Sequence, residues 1–214
     1  MDSRRGLIEK INRLKKDPEV SHIVGCRMKE FEDLQNEDER KWFLELCFCL
    51  MTANSSAKKV LEISESLGDD AFLDFSFEDL SSSLKKSGYR FYNKRAEYIV
   101  KARRFSANLK STVTSFDDEL KAREWLVSSI KGLGYKEANH FLRNVGSKNV
   151  AILDRHILRI LNEHDMILEV PTSLAKKNYY LIEEKITALA EKSGLSLAEL
   201  DLFLWYMKTG QVLK

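Results

Sequence analysis

Apolar residues recur with a helical period along most of this chain. Ser3–Lys16 places them at 7, 8, 11 and 14, one face of a helix that Pro18 is expected to close. Glu30–Gln35 reads as helix or turn. Asn36–Glu39 (NEDE) supplies an N-cap and first-turn acids. The run behind it, Arg40–Met51, is almost wholly apolar (WFLELCFCLM). A helix apolar on nearly every side belongs in a core, and its length argues against a strand. A polar loop, Thr52–Ser56, leads into a helix over Ala57–Ser66, and Gly68–Ser87 reads as two short helices joined by Asp/Ser turns. Ala96–Leu109 predicts a strong helix with Ile99, Val100 and Ala102 inward and Lys101, Arg103 and Arg104 on solvated surface. Asp117–Ile130 is the next helix. Tyr135–Val145 follows, with its apolar face at 138, 141, 142 and 145 and a stop at Gly146. Arg155–His164, Asn178–Lys192 and Leu197–Met207 complete the series, the last opened by a Ser196/Glu199 capping box. No stretch has the alternation of a strand, so the fold class is all-α.

Composition narrows this picture. A chain of 214 residues with 43% hydrophobic content buries one good core or two small ones. No apolar run is long enough to span a membrane. The N-terminal MDSRRGLIEK has acids and no hydrophobic segment, which is not the pattern of a signal peptide. Cys26, Cys47 and Cys49 are an odd set, two of them in C-x-C spacing inside the apolar helix, as expected of a reduced, cytoplasmic protein. Net charge is only +2, so any binding of nucleic acid needs the basic residues gathered on one face.

The chemistry concentrates in Lys131–His156 (KGLGYKEANHFLRNVGSKNVAILDRH). Gly132-Leu133-Gly134 is a tight turn whose backbone can approach another molecule closely. Its amides, with the positive N-terminus of the helix that follows, suit a phosphate. Lys136 sits in the first turn of that helix, and Asp154 stands 18 residues further on, directly before another. Taken singly these features have plain readings: a connecting turn, a phosphate-contacting lysine, a helix cap worth about 1 kcal/mol.

Together they resemble the catalytic core of the helix-hairpin-helix DNA glycosylases. That pattern is a G-x-G hairpin, a lysine two residues on, an alanine two beyond it and an aspartate about 18 past the lysine, here Gly132, Gly134, Lys136, Ala138 and Asp154. GYKEANHFLRNVG and ILDRHILR look most like the compact archaeal and bacterial 8-oxoguanine DNA glycosylase/AP lyases. The resemblance implies a two-lobed helix-hairpin-helix fold. Residues 1–35 and 155–214 would form a terminal lobe and 36–154 a central one, with the helix-hairpin-helix at about 119–146 and a cleft between the lobes for a flipped nucleotide. It implies Lys136 as the amine that captures the sugar as a Schiff base and Asp154 as the carboxylate that stabilises its positive charge. A helix N-terminus disfavours the ammonium form, a reason to prefer Lys136 to Lys131 as nucleophile. Gly132, Gly134 and Lys131 would hold DNA, and substitution of Gly134 would obstruct phosphate or strain a positive φ.

Other positions acquire roles on the same basis, each beside a plainer one. Asn54 resembles the residue that enters the duplex where the damaged base has left; otherwise it belongs to a polar loop. Phe91, with Tyr92 second, would stack on the base, or else these aromatics close the core at a helix start. Trp205 would stack from the other side and the Lys214 carboxylate would accept from N7–H of 8-oxoguanine; the alternative is a frayed tail. His156 lacks partners at metal-ligand spacing and is read as packed or phosphate-facing. The four cysteines of iron–sulfur glycosylases are absent, so no cluster, metal or other cofactor is expected. The expected partner is double-stranded DNA carrying 8-oxoguanine or abasic sites, bound by a monomer associated with the nucleoid and not with a membrane. Two rivals stand beside this reading. One is a non-enzymatic helix-hairpin-helix binding module, which has no use for the spaced Asp. The other is a glycosylase for a different damaged base.

Overall fold

The computed structural model of the protein describes residues 3–212. Among these there are thirteen α-helices and one turn of 3-10 helix, and no strand. None of these helices is long and apolar enough to cross a membrane. The chain divides into two compact units, one formed by residues 34–145 and the other by 1–33 together with 146–214.

The central unit is built round α3 (Glu39–Thr52), which opens on Asp38 as N-cap. Against it pack α4 (Ala57–Leu67), α5 (Asp69–Leu73), α7 (Tyr92–Ala102), α8 (Leu109–Thr114) and α10 (Tyr135–Asn144). All its side chains from Glu45 to Thr52 are buried, as the apolar run requires. The one acid inside it, Glu45, is 4% exposed and accepts from Asn144 Nδ2 at 2.6 Å. Arg143 donates in turn to Asn144 Oδ1 at 2.8 and 3.1 Å. Burial without partners would cost each of these groups more than the hydrogen bonds return. The remaining helices are α6 (Phe77–Lys86), which packs on α7, and α9 (Glu119–Ser129), which packs on α10.

Sequence periodicity runs 96–109 together as one helix, but α7 ends at Ala102. A 3-10 turn at Arg103–Phe105 then redirects the chain. Lys101 and Arg104 are exposed as expected, but Arg103 is half-buried, and both arginines are engaged. Arg103 donates to the carbonyls of Ala71, Phe72 and Phe75 at the end of α5, and Arg104 to that of Ser129 at the end of α9. Each satisfies carbonyls that a helix end leaves open. Periodicity sees only an apolar face and carries no sign of these distant acceptors.

In the terminal unit α1 (Ser3–Lys16) packs on α12 (Lys176–Ser193) and α13 (Leu197–Thr209), and α13 also on α11 (Arg155–Glu163). Pro18 does not only close α1; it opens α2 (Pro18–Asn36), a long helix where Glu30–Gln35 alone is legible. Asp17 caps it, its carboxylate accepting from Glu19 N at 3.0 Å and Val20 N at 3.2 Å. Proline at the first helical position loses no hydrogen bond. Val20, Val24 and Phe31 of α2 form a core cluster with Leu202, Phe203 and Val212.

Residues 146–154, expected in the central lobe, belong to the terminal unit. Gly146, at φ 101°, redirects the chain there. Lys148 O then accepts from Ala198 N at 3.0 Å, and Tyr179 Oη donates to Ala151 O at 2.6 Å and accepts from Leu153 N at 3.4 Å. Tyr179→Phe removes a buried donor and should cost about 1–2 kcal/mol of stability. Urea denaturation checks this, and an unchanged midpoint would show that the 146–154 segment is held by other contacts.

Candidate active site

The hairpin follows from the end of α9. Ile130 caps that helix with its amide on Leu126 O at 3.0 Å, and Leu133 tucks inward, 4% exposed. Gly132 lies at φ +90°, which L side chains rarely adopt, and a Cβ there would overlap the Tyr98 ring. Gly134 differs from the expectation. At φ −92°, ψ −179° it is ordinary extended backbone, and a Cβ would meet only Glu137 Oε2, at 3.1 Å. The obligatory glycine is therefore Gly132. Gly134 is the N-cap of α10 without a side chain to cap it, so the helix's first amides lack the partner that a Ser or Asp would supply.

Lys136 stands in the first turn of α10, its side chain 30% exposed and its Nζ 3.3 Å from Glu137 Oε1. Ala138 beneath it is fully buried. Lys131, at the hairpin's start, is held by Glu97 of α7 at 3.0 Å and lies 5.9 Å over the Tyr98 ring. Glu97 also binds Lys101 at 2.8 Å and Lys94 at 3.3 Å. Lys101, Lys131 and Lys94 hold its carboxyl down to about 2. A depressed carboxylate stabilises the fold above its ordinary range, and that contribution is lost as pH falls from about 4.5 towards 2. Three cations round one acid leave the hairpin flank basic, which the small net charge of the chain conceals.

Asn54 is exposed at φ 60°, a left-handed conformation that Asn tolerates better than most residues. The chain on its N-terminal side is pinned: Tyr89 Oη donates to Met51 O, Thr52 Oγ1 to Cys49 O at 2.9 Å, and Arg95 Nη2 to Ala53 O at 2.8 Å. Tyr89, 2% exposed, is the aromatic that closes the core in this region. Phe91 and Tyr92 are half-buried at the start of α7, with the Arg90 and Arg95 guanidiniums 5.1 and 5.8 Å from the Phe91 ring and Lys85 Nζ 5.5 Å from that of Tyr92.

Asp154 and Trp205 belong to the terminal unit. Asp154 is the N-cap of α11, one carboxylate oxygen accepting from Ile157 N at 2.8 Å; the other has no hydrogen bond among the described residues. His156 packs edge-on against Trp205, ring centroids 4.7 Å apart. His156 Nδ1 and Trp205 Nε1 are buried without hydrogen-bond partners among the described residues. No group of three His, Cys, Asp or Glu side chains among those residues is placed to hold a metal. Cys47 and Cys49 are buried in α3, and burial pushes the Cys47 thiol well above its usual range. Lys214 lies outside the described residues.

Sequence reading missed the supporting face of α7. Phe91, Arg95 and Tyr98 share it at i, i+4 and i+7, an aromatic–basic–aromatic spacing legible in hindsight.

A G-x-G hairpin between two helices, with a lysine in the first turn of the second and an all-α frame around it, defines the helix-hairpin-helix glycosylase class. A family model described as 8-oxoguanine DNA glycosylase matches residues 24–195, and the chain belongs to that family. It is 50% identical over 208 residues to an 8-oxoguanine DNA glycosylase/AP lyase of Methanocaldococcus jannaschii, covering 97% of this chain and 99% of the relative. A relative of the same description from Korarchaeum cryptofilum is 48% identical over 97% of this chain and 98% of its own. Among solved structures, the M. jannaschii 8-oxoguanine glycosylase/lyase in complex with a 15mer DNA containing 8-oxoguanine superposes with a TM-score of 0.94 at 49% identity, over 97% of this chain and 99% of that one. The 8-oxoguanine DNA glycosylase of Thermotoga maritima does so at 0.92 and 39%, over 99% and 100%.

Two predictions follow from the hairpin. Gly132→Ala should lower the melting temperature and weaken binding to undamaged duplex, a left-handed strain alone costing about 1–3 kcal/mol, whereas Gly134→Ala should fold normally. Thermal melts and duplex titrations of both variants check the asymmetry; equal behaviour would remove it. Glu97→Gln frees Lys131 from its internal partner. Its affinity for undamaged duplex should rise, and the slope of log affinity against log salt should steepen by up to about 0.9, one phosphate contact. An unchanged slope would mean that Lys131 does not reach DNA.

Proposed function

We propose that this chain is a bifunctional DNA glycosylase/AP lyase that removes 8-oxoguanine from duplex DNA and then nicks the strand. The observation that carries the assignment is Lys136 in the first turn of the helix behind the G-x-G hairpin, in a chain that matches the 8-oxoguanine glycosylases from end to end.

A lesion inside a duplex is out of reach, and its extrusion costs a few kcal/mol of unstacking. The hairpin amides, the N-terminus of α10 and the lysines round Glu97 offset this by holding the sugar-phosphate backbone. Asn54, exposed on a pinned loop, takes the place the base has left, and Phe91, with Tyr92 beside it, stacks on the base. As the bond from C1′ to the base breaks, its electron pair leaves with the base and positive charge builds on the sugar. The Asp154 oxygen that α11 does not use stabilises that charge. The Lys136 amine forms the new bond at C1′, and the sugar ring opens to a protonated Schiff base. Loss of a 2′ proton then expels the 3′ phosphate by β-elimination. The ammonium paired with Glu137 has no free electron pair, so its proton must pass to an acceptor before attack. This sequence of steps needs no metal or redox group, and the reading is of a monomer acting alone on its DNA.

Lys136→Gln should abolish borohydride trapping on 8-oxoguanine duplex while leaving affinity for that duplex within a few-fold. Undiminished trapping would take the nucleophile role from Lys136, and a wild-type protein that traps on no lesion would leave a binding module. Asp154→Asn should keep fold and DNA affinity, because Asn caps a helix as well as Asp. Its excision rate should nevertheless fall by about 100-fold or more, the usual loss when an electrostatic stabiliser is removed. Near-normal excision would make Asp154 a cap and nothing else.

A further inference from the structure

Arg95 is 8% exposed, and no carboxylate among the described residues pairs with it. Its Nη2 donates to Ala53 O at 2.8 Å, and its Nε is buried with no hydrogen-bond partner among those residues. Besides the Tyr89 hydroxyl, with which it interacts, its charge is met by two rings, with the guanidinium 5.8 Å from the Phe91 centroid and 5.6 Å from that of Tyr98. A cation taken out of water without a counter-ion is costly, and a strap that merely held Ala53 O would need only a neutral donor. The guanidinium does what a neutral donor cannot. It is planar, so it presents an edge to a carbonyl and a face to an aromatic ring at once.

What it joins is specific. Ala53 directly precedes Asn54, whose φ of 60° keeps its side chain on the exposed side of the loop. Phe91 is the pocket aromatic one helical turn before Arg95. Tyr98, on the other side, fills the space that a side chain on Gly132 would occupy and so backs the hairpin. One side chain therefore touches the supports of three elements that read as DNA contacts.

We propose that Arg95 is a positioning residue that couples the void-filling loop at Asn54 to the base pocket at Phe91. A shift of the Phe91 ring when a base stacks on it moves the guanidinium, and the guanidinium sets the Ala53 carbonyl and hence Asn54. Entry of the lesion into the pocket and entry of Asn54 into the vacated stack thus become one event. The proposal rests on the roles given above to Asn54 and Phe91.

The test is a double-mutant cycle on single-turnover excision of 8-oxoguanine from duplex DNA. Arg95→Lys, Asn54→Ala and the double variant are compared with the wild type. Each rate is normalised to the active fraction, measured by borohydride trapping on a preformed abasic duplex, so that only folded molecules count. Lysine keeps the charge but cannot hold carbonyl and ring together. Arg95→Lys and Asn54→Ala should each slow excision by about tenfold, and the double variant should be no slower than the slower single one, the mark of residues acting as a unit. Multiplicative losses, or wild-type excision by Arg95→Lys, overturn the coupling. Wild-type excision by Asn54→Ala instead overturns the void-filling role on which it rests, and so separates the two failures. If Arg95→Lys gives no trappable protein, Phe91→Leu takes its place in the cycle, removing the ring and keeping the guanidinium. Non-multiplicative loss with Asn54→Ala supports the coupling, and multiplicative loss overturns it.

Discussion

Beyond its first turn helix α3 has no wet side, and the central unit is arranged to satisfy that condition. An apolar helix can be surrounded by other helices at little cost, but its C-terminal end and its one buried acid cannot simply be covered. Glu45 is met by Asn144 at the end of α10. The C-terminal carbonyls are met by Tyr89, in the turn before α7, and by Arg95 in its first turn. Satisfying the buried end of one helix therefore brings α7 to the loop that holds Asn54, and burying its acid fixes the end of the helix that carries Lys136 in its first turn. The hydrogen bonds that a buried helix demands are the same ones that set the chemistry-bearing residues of this unit.

The hairpin shows the same economy at smaller scale. Its two glycines do different things. Gly132 gives way to Tyr98 and takes a backbone angle closed to other residues, while Gly134 is ordinary in conformation and leaves the amides of α10 uncapped. One makes the turn possible; the other keeps its donors open. The lysines beside it are gathered by Glu97 into a local field that a net charge of +2 would not announce.

Most of the helical frame was legible from periodicity and caps, because α1, α3, α4 and α10–α13 bury one face or all of themselves and start on recognisable residues. The capping box at Ser196 and Glu199 is present as its spacing implied. Misreadings came where a local signal was overruled from a distance. Pro18 looked like a stop because a break and a first helical position share the same residue. The 96–109 run was severed by arginines that cap helices elsewhere in the chain. The segment 146–154 changed unit because Tyr179 and Ala198 hold it. For the site, Lys136, Asp154 and the hairpin carried a motif that could be matched by spacing. Arg95, Glu97 and Tyr98 did not, since their significance lies in what they touch across the fold.

The terminal unit is sewn from the two ends of the chain, with the whole central unit inserted between them. On a ribosome this imposes an order. Residues 34–145 are contiguous and can collapse as soon as they emerge, but Val20, Val24 and Phe31 must wait for Leu202, Phe203 and Val212. Until α13 has been made α2 lacks the apolar partners of its buried face, and the closing of so long a loop makes this the slow part of folding. A nascent chain stalled before α13 would own a complete hairpin and lysine, yet the unit holding Asp154 comes into being only once α13 is made.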